Sequence, residues 1–306
     1  GLSVSAVMPT ADGKNSFVTT ATSGAGASNV GVAGALGTNV LVNTTVATVE
    51  GDKDSKASGA AVNANGGDIL VESANTSESK VTSGASVKPA SGTDPAAVGV
   101  GASVGMNVGV NTTVAEIGNG AGISNAKDLG LKAKATHTLE NAVTGGAAGA
   151  DVSVTPVAAI TVAANTTTAR LGTGGLLNLS GAFTGSAEQT STTTSTATGQ
   201  TQGNNVAVGA SIALNNATDT VVAEIDRDIS ATGEVAIGAK STAKSSASST
   251  ASVKGGEKAT DTGAPPAKPD GSAGKTVDEK VTAQGDAAKE SGKKAADKAA
   301  AASPGS

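Results

Sequence analysis

The chain has 306 residues, a formal net charge of -5 at pH 7, no Cys, no Trp, no Tyr and only 1% aromatic residues. This composition excludes disulfide frameworks, thiolate metal sites and thiol catalysis, and it leaves few rings to fill a conventional globular core. The negative charge disfavours a nucleic-acid partner, because affinity for phosphates depends on clustered Lys and Arg.

The chain starts with Gly1-Leu-Ser-Val-Ser, without an initiator Met or a signal peptide. We therefore expect an internal segment of a longer protein. No apolar run is long enough to span a bilayer, so we expect no membrane insertion.

Four copies of one pattern follow along the chain, at 30–49, 98–117, 152–171 and 206–225. They align on Asn43, Asn111, Asn165 and Asp219, in steps of 68, 54 and 54 residues. Such a period is typical of repeat architectures.

Apolar residues alternate with small residues within each copy, which is the period of a β-strand. The alternation predicts that Val104 and Ile212 point inward, and that Ser103 and Ser211 point outward or against a narrow wall. A corner is expected near the Asn-Thr-Thr of each copy, because Asn favours local turns.

A weaker strand is predicted after each copy, starting near Asp68, Leu129, Leu177 and Glu234. The Ser/Thr tracts at 190–198 and 241–250 fit either polar strands or loops. Equivalent residues that recur at this period predict an all-β, parallel β-helix-like solenoid. Each unit is either one wide coil or two coils of about 27 residues, and Pro156 predicts a bulge or interruption in the third unit.

The repeats end near Val253, and a segment rich in Lys, Ala, Gly and Pro follows. The sequence thus predicts a solenoid at 1–254 and a low-complexity tail or insertion loop at 255–306. The tail is expected to be disordered, with a frayed helix at about 277–302 as the alternative, because little of it can be buried.

Two stretches, Gly-Val-Gly-Ala-Ser-Val-Gly-Met-Asn-Val-Gly-Val-Asn-Thr-Thr-Val-Ala-Glu-Ile at 99–117 and Asn-Val-Ala-Val-Gly-Ala-Ser-Ile-Ala-Leu-Asn at 205–215, carry a family resemblance. They resemble the giant repetitive bacterial surface proteins called leukotoxin-type filamentous adhesins. The resemblance covers residues 29–254, and the tail is similar to insertions in such arrays. It implies an extracellular β-solenoid on the bacterial cell surface and offers no catalytic residues.

Six Asn residues lie in glycosylation sequons: Asn43, Asn75, Asn111, Asn165, Asn178 and Asn216. Three of them occupy the same position of the repeat, so we interpret that column as an Asn corner or ladder, with glycosylation as the alternative.

Acidic pairs occur at Asp52 with Asp54 and at Asp226 with Asp228, but neither has the spacing of a known calcium loop, so we interpret them as solvated turn charges. Glu116 and Glu224 match only between two units, and His137, the single His, is predicted to be a surface strand residue.

The Gly-rich stretch from Gly99 lacks the Lys of a phosphate-binding loop. Arg170 and Arg227 are the only arginines, and aromatic platforms for sugars are missing. We therefore predict no enzyme activity, no cofactor, and no catalytic, cofactor-binding or metal-binding residues.

The leading functional hypothesis is a structural segment of a secreted, rod-like surface adhesin or filament that presents loops for adhesion. Its expected partners are neighbouring repeats of the parent protein, a host or cell surface, and other copies joined end to end. The alternative is a flat surface that binds ice or another regular solid, since Thr44, Thr112, Thr166 and Thr220 align.

Overall fold

The computed structural model describes residues 1–7, 13–27, 29–51, 61–89, 97–149 and 151–255. These residues form fourteen β-strands and no helix. All of them belong to the unit Gly1–Gly256. The tail predicted from residue 255 onward lies, beyond Gly255 itself, outside the described residues.

Long and short strands follow one another along the chain. Their bounds are β1 (Leu2–Val7), β2 (Asn15–Ala27), β3 (Val30–Val49), β4 (Ala61–Asn63), β5 (Ile69–Pro89), β6 (Val98–Ile117), β7 (Gly122–Ser124), β8 (Leu129–Gly149), β9 (Val152–Leu171), β10 (Leu177–Leu179), β11 (Phe183–Gly203), β12 (Val206–Ile225), β13 (Ile229–Ala231) and β14 (Val235–Lys254).

The long strands lie in two parallel sheets. The first strands of the units form a four-stranded sheet in the order β12-β9-β6-β3, and the second strands form a six-stranded sheet in the order β1-β5-β8-β11-β14, in which β2 also pairs with β5. The short strands pair as β4 with β7 and β10 with β13. The fold is therefore a parallel β-solenoid, as predicted.

Each unit makes one wide coil, which decides between the two arrangements that the repeat length allows. Val98 pairs with Val152, which pairs with Val206, so equivalent residues stack from coil to coil. A 20-residue strand extends about 65 Å at about 3.3 Å per residue. The coil is consequently broad, with one such strand in each sheet.

The predicted corner at Asn-Thr-Thr is wrong, because β3, β6 and β9 run through that motif without interruption. Both Ser/Thr tracts are strands, within β11 and β14. A strand does begin at Leu177, as predicted, but it is the short β10. Its predicted equivalence to the strand at Leu129 is wrong, because Phe183 is the residue that pairs with Leu129.

The predicted orientation of the first strands is reversed. Val104 is 39% exposed and Ile212 is 64% exposed, whereas Ser103 is fully buried. The interior between the sheets takes the small side chains of these strands, and the larger Val, Ile and Leu side chains point to the outside.

Pro156 interrupts hydrogen bonding without displacing the register. The pairing of β6 with β9 stops after Val100 and resumes at Ser103, opposite Val157. Because proline has no N–H to donate to the ladder, the local interruption expected in the third unit is present.

The interior has an apolar part and a polar part. The largest apolar cluster lies where the first strands end and the second strands begin, and it includes Ile69, Ile117, Leu129, Leu171 and Phe183. Farther along the coil, buried Ser, Thr and Asn side chains bond across the two sheets. Two examples are Ser79 Oγ to Asn107 Oδ1 at 2.6 Å and the hydroxyls of Thr161 and Ser195 at 2.6 Å.

Candidate functional site

The outward side chains of the four-stranded sheet form a broad apolar surface, which we call the apolar face. It comprises the even-numbered residues 30–42 of β3, 98–110 of β6, 152–164 of β9 and 206–218 of β12. Most of these residues are Val, Ile, Leu or Met, and none is charged. Leu36 is 68% exposed and Val42 is 70% exposed. Monomeric proteins seldom expose a continuous apolar surface of this size.

The outward side chains of the six-stranded sheet form a surface of opposite character, which we call the polar face. It comprises the even-numbered residues of β5, β8, β11 and β14. Lys80 forms an ion pair with Glu140 at 3.3 Å across neighbouring coils. Thr76, Thr136, Thr190 and Thr242 make one complete row of threonines. The two sheets therefore give the solenoid one apolar and one polar face.

Three residues of the repeated Asn column form a ladder in the interior, while the fourth, Asn43, donates from Nδ2 to Asn75 Oδ1 at 2.8 Å. Asn111 Nδ2 donates to Asn165 Oδ1 at 2.8 Å, and Asn165 Nδ2 donates to Asp219 Oδ1 at 2.8 Å. Gln189 Nε2 and Ser191 Oγ also donate to the Asp219 carboxylate, at 2.8 and 2.7 Å. A carboxylate accepts more than one hydrogen bond, so Asp219 joins the last coil of the ladder to the opposite sheet.

The structure shows which Asn side chains of the sequons are accessible for glycosylation. Asn75, Asn111 and Asn165 are at most 2% exposed, so the folded chain offers no access to their amides. Asn178 and Asn216 are exposed. The ladder is thus the structural role of the Asn column, and the two exposed Asn side chains lie outside it.

His137 lies in the interior and is only 1% exposed, so its prediction as a surface residue is wrong. Its Nδ1 lies 2.8 Å from Ser77 Oγ, while its Nε2 has no hydrogen-bond partner. Burial lowers the pKa of His137 to about 4, and the negative charge of Asp219 opposes that shift. The imidazole is therefore neutral at pH 7.

The acidic candidates are held by ion pairs or lie in turns. Arg170 bonds to Glu116 and lies 3.4 Å from Asp226. Glu224 and Asp228 are exposed, and the pair Asp52 and Asp54 lies outside the described residues. The structure thus brings Glu116 and Asp226 to one arginine from different coils, a cluster that links neighbouring coils.

Arg227 joins three coils, and no feature of the sequence indicates this role. Its guanidinium donates to the backbone carbonyls of Gly172 at 2.5 Å, Ala121 at 2.7 Å, Thr173 at 3.0 Å and Gly118 at 3.2 Å. Burial lowers the pKa of Arg227. The side chain thereby ties turn carbonyls of the second and third units to the fourth unit.

The Gly-rich stretch at Gly99 allows the two sheets to approach each other. A Cβ on Gly101 would collide with the carbonyl oxygen of Gly146, and a Cβ on Gly109 would lie 2.8 Å from Leu139 Cδ2. These glycines face inward along β6. Their spacing therefore reflects close packing of backbone against the opposite strand.

Within the described ranges, no group of three or more His, Asp or Glu side chains could hold a metal ion. The same residues contain no helix that is long and apolar enough to cross a membrane. No protein-family model, curated protein or solved structure matches the chain.

Proposed function

We propose that this chain is a non-catalytic structural segment of a repetitive, rod-like surface adhesin or filament of bacteria. The observation that supports it is the stacking of coils in one register: Asn111, Asn165 and Asp219 meet their equivalents at steps of 54 residues. Each coil offers the next one the same ladder of backbone groups. Such an array can be extended by further units without any change in the structure of each coil.

We assign adhesion to the connections between the long strands, whose lengths differ from unit to unit. The connection between the first and second long strands spans residues 50–68 in the first unit but only 226–234 in the fourth. Variable connections on a constant repeat are typical of surface loops that carry binding functions. An extracellular location on the cell surface belongs to this proposal and rests on the family resemblance.

Duplication of a unit tests the structural part. Inserting a second copy of residues 98–151 should lengthen the stack by about 4.8 Å, the spacing of neighbouring strands, and leave its cross-section unchanged. X-ray scattering measures both. A Gly/Ser insert of the same length is the matched control and should not extend the ordered stack. An inserted unit that behaves like this flexible control would refute the proposal.

Location is tested on cells. Antibodies against the purified chain should label intact cells of the source organism without permeabilisation. Labelling that requires permeabilised cells would show that the protein is not on the surface.

A second candidate function is binding of ice or another regular solid. The observation that favours it is the stacking of threonines in rows, with neighbours about 4.8 Å apart. One row is the aligned set Thr44, Thr112, Thr166 and Thr220 on the four-stranded sheet, and the other is Thr76, Thr136, Thr190 and Thr242 on the polar face. Thermal hysteresis of the purified chain tests this candidate, with Thr136→Lys and Thr190→Lys as the disruptive variants. Freezing behaviour equal to that of a non-binding protein would exclude ice.

A further inference from the structure

The apolar face has no covering element among the described residues, although the polar face of the same coils is suited to water. Val32, Leu36, Val40 and Val42 on β3 are each more than 60% exposed. On β12, Ile212 is 64% exposed and Leu214 is 53% exposed. Apolar side chains that line an entire sheet in this way mark an interaction surface.

The size of the apolar face is that of a stable protein interface. Seven outward positions along a strand span about 40 Å, and four strands span about 19 Å, which gives about 760 Å² per copy. Two such faces packed together bury about 1,500 Å², within the usual range of specific complexes. The area is sufficient for pairing without help from other parts of the chain.

Smaller and larger side chains form alternating rows across the strands of the apolar face, and the row of smaller side chains makes a shallow groove. The row Gly34, Ala102, Pro156 and Ala210 has small side chains. It lies beside the row Leu36, Val104, Ala158 and Ile212, which is bulkier on three of its four strands. Both rows repeat from strand to strand at about 4.8 Å. A partner that fits along the whole face needs ridges with this same spacing, and an identical sheet has them.

The distribution of charge also favours an identical sheet as the partner. The apolar face itself carries no charged residue. The nearest outward-pointing charges on these strands are Glu116, Arg170 and Glu224, at one end, and the exposed Asp151 precedes β9 at the other end. Two copies related by a two-fold axis can therefore bring their faces together without burying an unpaired charge, which would be costly. Aligned sheets pack about 10 Å apart in such sandwiches.

We propose that the apolar face binds the apolar face of a second copy of this chain, so that two solenoids pair side by side, sheet on sheet. This pairing differs from association through the ends of the stack. It covers the exposed Val, Leu and Ile side chains and leaves the polar faces of both copies in water.

The experiment compares the full chain with two disruptive variants and one control. Met106→Lys places a charge near the centre of the face, and Ile212→Lys places one at a side chain that is 64% exposed, so that the charge stays in water in the unpaired chain. Thr196→Lys adds the same charge to an exposed position of the polar face. In a two-fold pair each substitution acts twice.

Analytical ultracentrifugation of the unmodified chain should show a monomer–dimer equilibrium that persists in high salt. Scattering of the dimer should show about twice the cross-sectional area and an unchanged stack length. Both face variants should weaken pairing by roughly 100-fold or more, and Thr196→Lys should pair like the unmodified chain. Circular dichroism checks that every variant is folded.

Three results of these measurements would overturn the proposal. They are a monomer at every concentration, a dimer with doubled length and unchanged cross-section, or a dimer that both face variants leave intact. Phosphatidylcholine vesicles that bind the chain through this face, without pairing in solution, would also refute it and assign the face to lipid.

Discussion

Substitution of Gly105 by Ala tests the close approach of the two sheets. A Cβ at this position would lie within 3.0 Å of Asn141 Oδ1 and Val143 Cγ2. Asn141 cannot simply turn away, because its Nδ2 donates to the carbonyl oxygens of Gly105 at 2.9 Å and Ile160 at 3.0 Å. The added methyl group must therefore displace a buried amide that joins the sheets.

The expected cost follows from these contacts. Overpacking of a tight interior costs about 1 to 3 kcal/mol, and each lost hydrogen bond costs about 1 kcal/mol. The lower backbone entropy of alanine in the unfolded chain returns about 0.5 to 1 kcal/mol. We expect Gly105→Ala to lower the free energy of unfolding by about 3 kcal/mol.

Gly238 provides the matched control, because a Cβ there meets nothing within 4 Å. Gly238→Ala should leave the free energy of unfolding unchanged or raise it by up to about 1 kcal/mol. Urea unfolding followed by circular dichroism measures both variants. A cost below about 1 kcal/mol for Gly105→Ala would show that the sheets are farther apart than this reasoning requires.

Three further experiments test the orientation of the strands, the buried imidazole and the arginine that links coils. Ser103→Asp should lower the melting temperature far more than Val104→Asp, because only position 103 is fully buried; equal losses would refute the orientation. The pKa of His137 is lowered to about 4, so the unfolded chain binds the proton more readily, and about 3 kcal/mol of stability should be lost as the pH falls from 6.5 to 4. His137→Gln should remove this part of the pH dependence. A urea midpoint that falls with pH as steeply in this variant as in the unmodified chain would contradict the role of His137. Arg227→Lys should cost about 3 kcal/mol in urea unfolding because an ammonium cannot reach four carbonyls, whereas Arg170→Lys, at a partly exposed ion pair, should cost less than about 1 kcal/mol; equal costs would refute the role of Arg227.

The repeat and its register could be predicted because they depend on residue identity at fixed intervals. Asn111, Asn165 and Asp219 mark equivalent positions, and the structure stacks them directly. Alternation of residue size along each first strand likewise predicts extended chain. Sequence reasoning therefore reached the solenoid without any contact information.

The second strands were harder to predict, because their inward residues are themselves polar. Ser191 and Ser195 point from β11 into the interior between the two sheets, where they bond to Asp219 and Thr161. A tract of Ser and Thr has no apolar alternation to detect, so strand and loop look alike in the sequence. The same polar interior accommodates His137, for which burial in an apolar core would have been expensive.

The orientation of the first strands could not be obtained from alternation alone, because a period of two separates two faces without stating which one is inside. Hydropathy favours the Val-rich face as the interior, yet the structure selects the face of Ser103, Gly105 and Asn107. The deciding quantity is space: an added Cβ at Gly101 or Gly105 already collides with the opposite sheet, so a Val row there could not fit. Small inward residues allow the sheets to close on a hydrogen-bonded interior, and the larger apolar side chains must then lie outside, where a second surface can cover them.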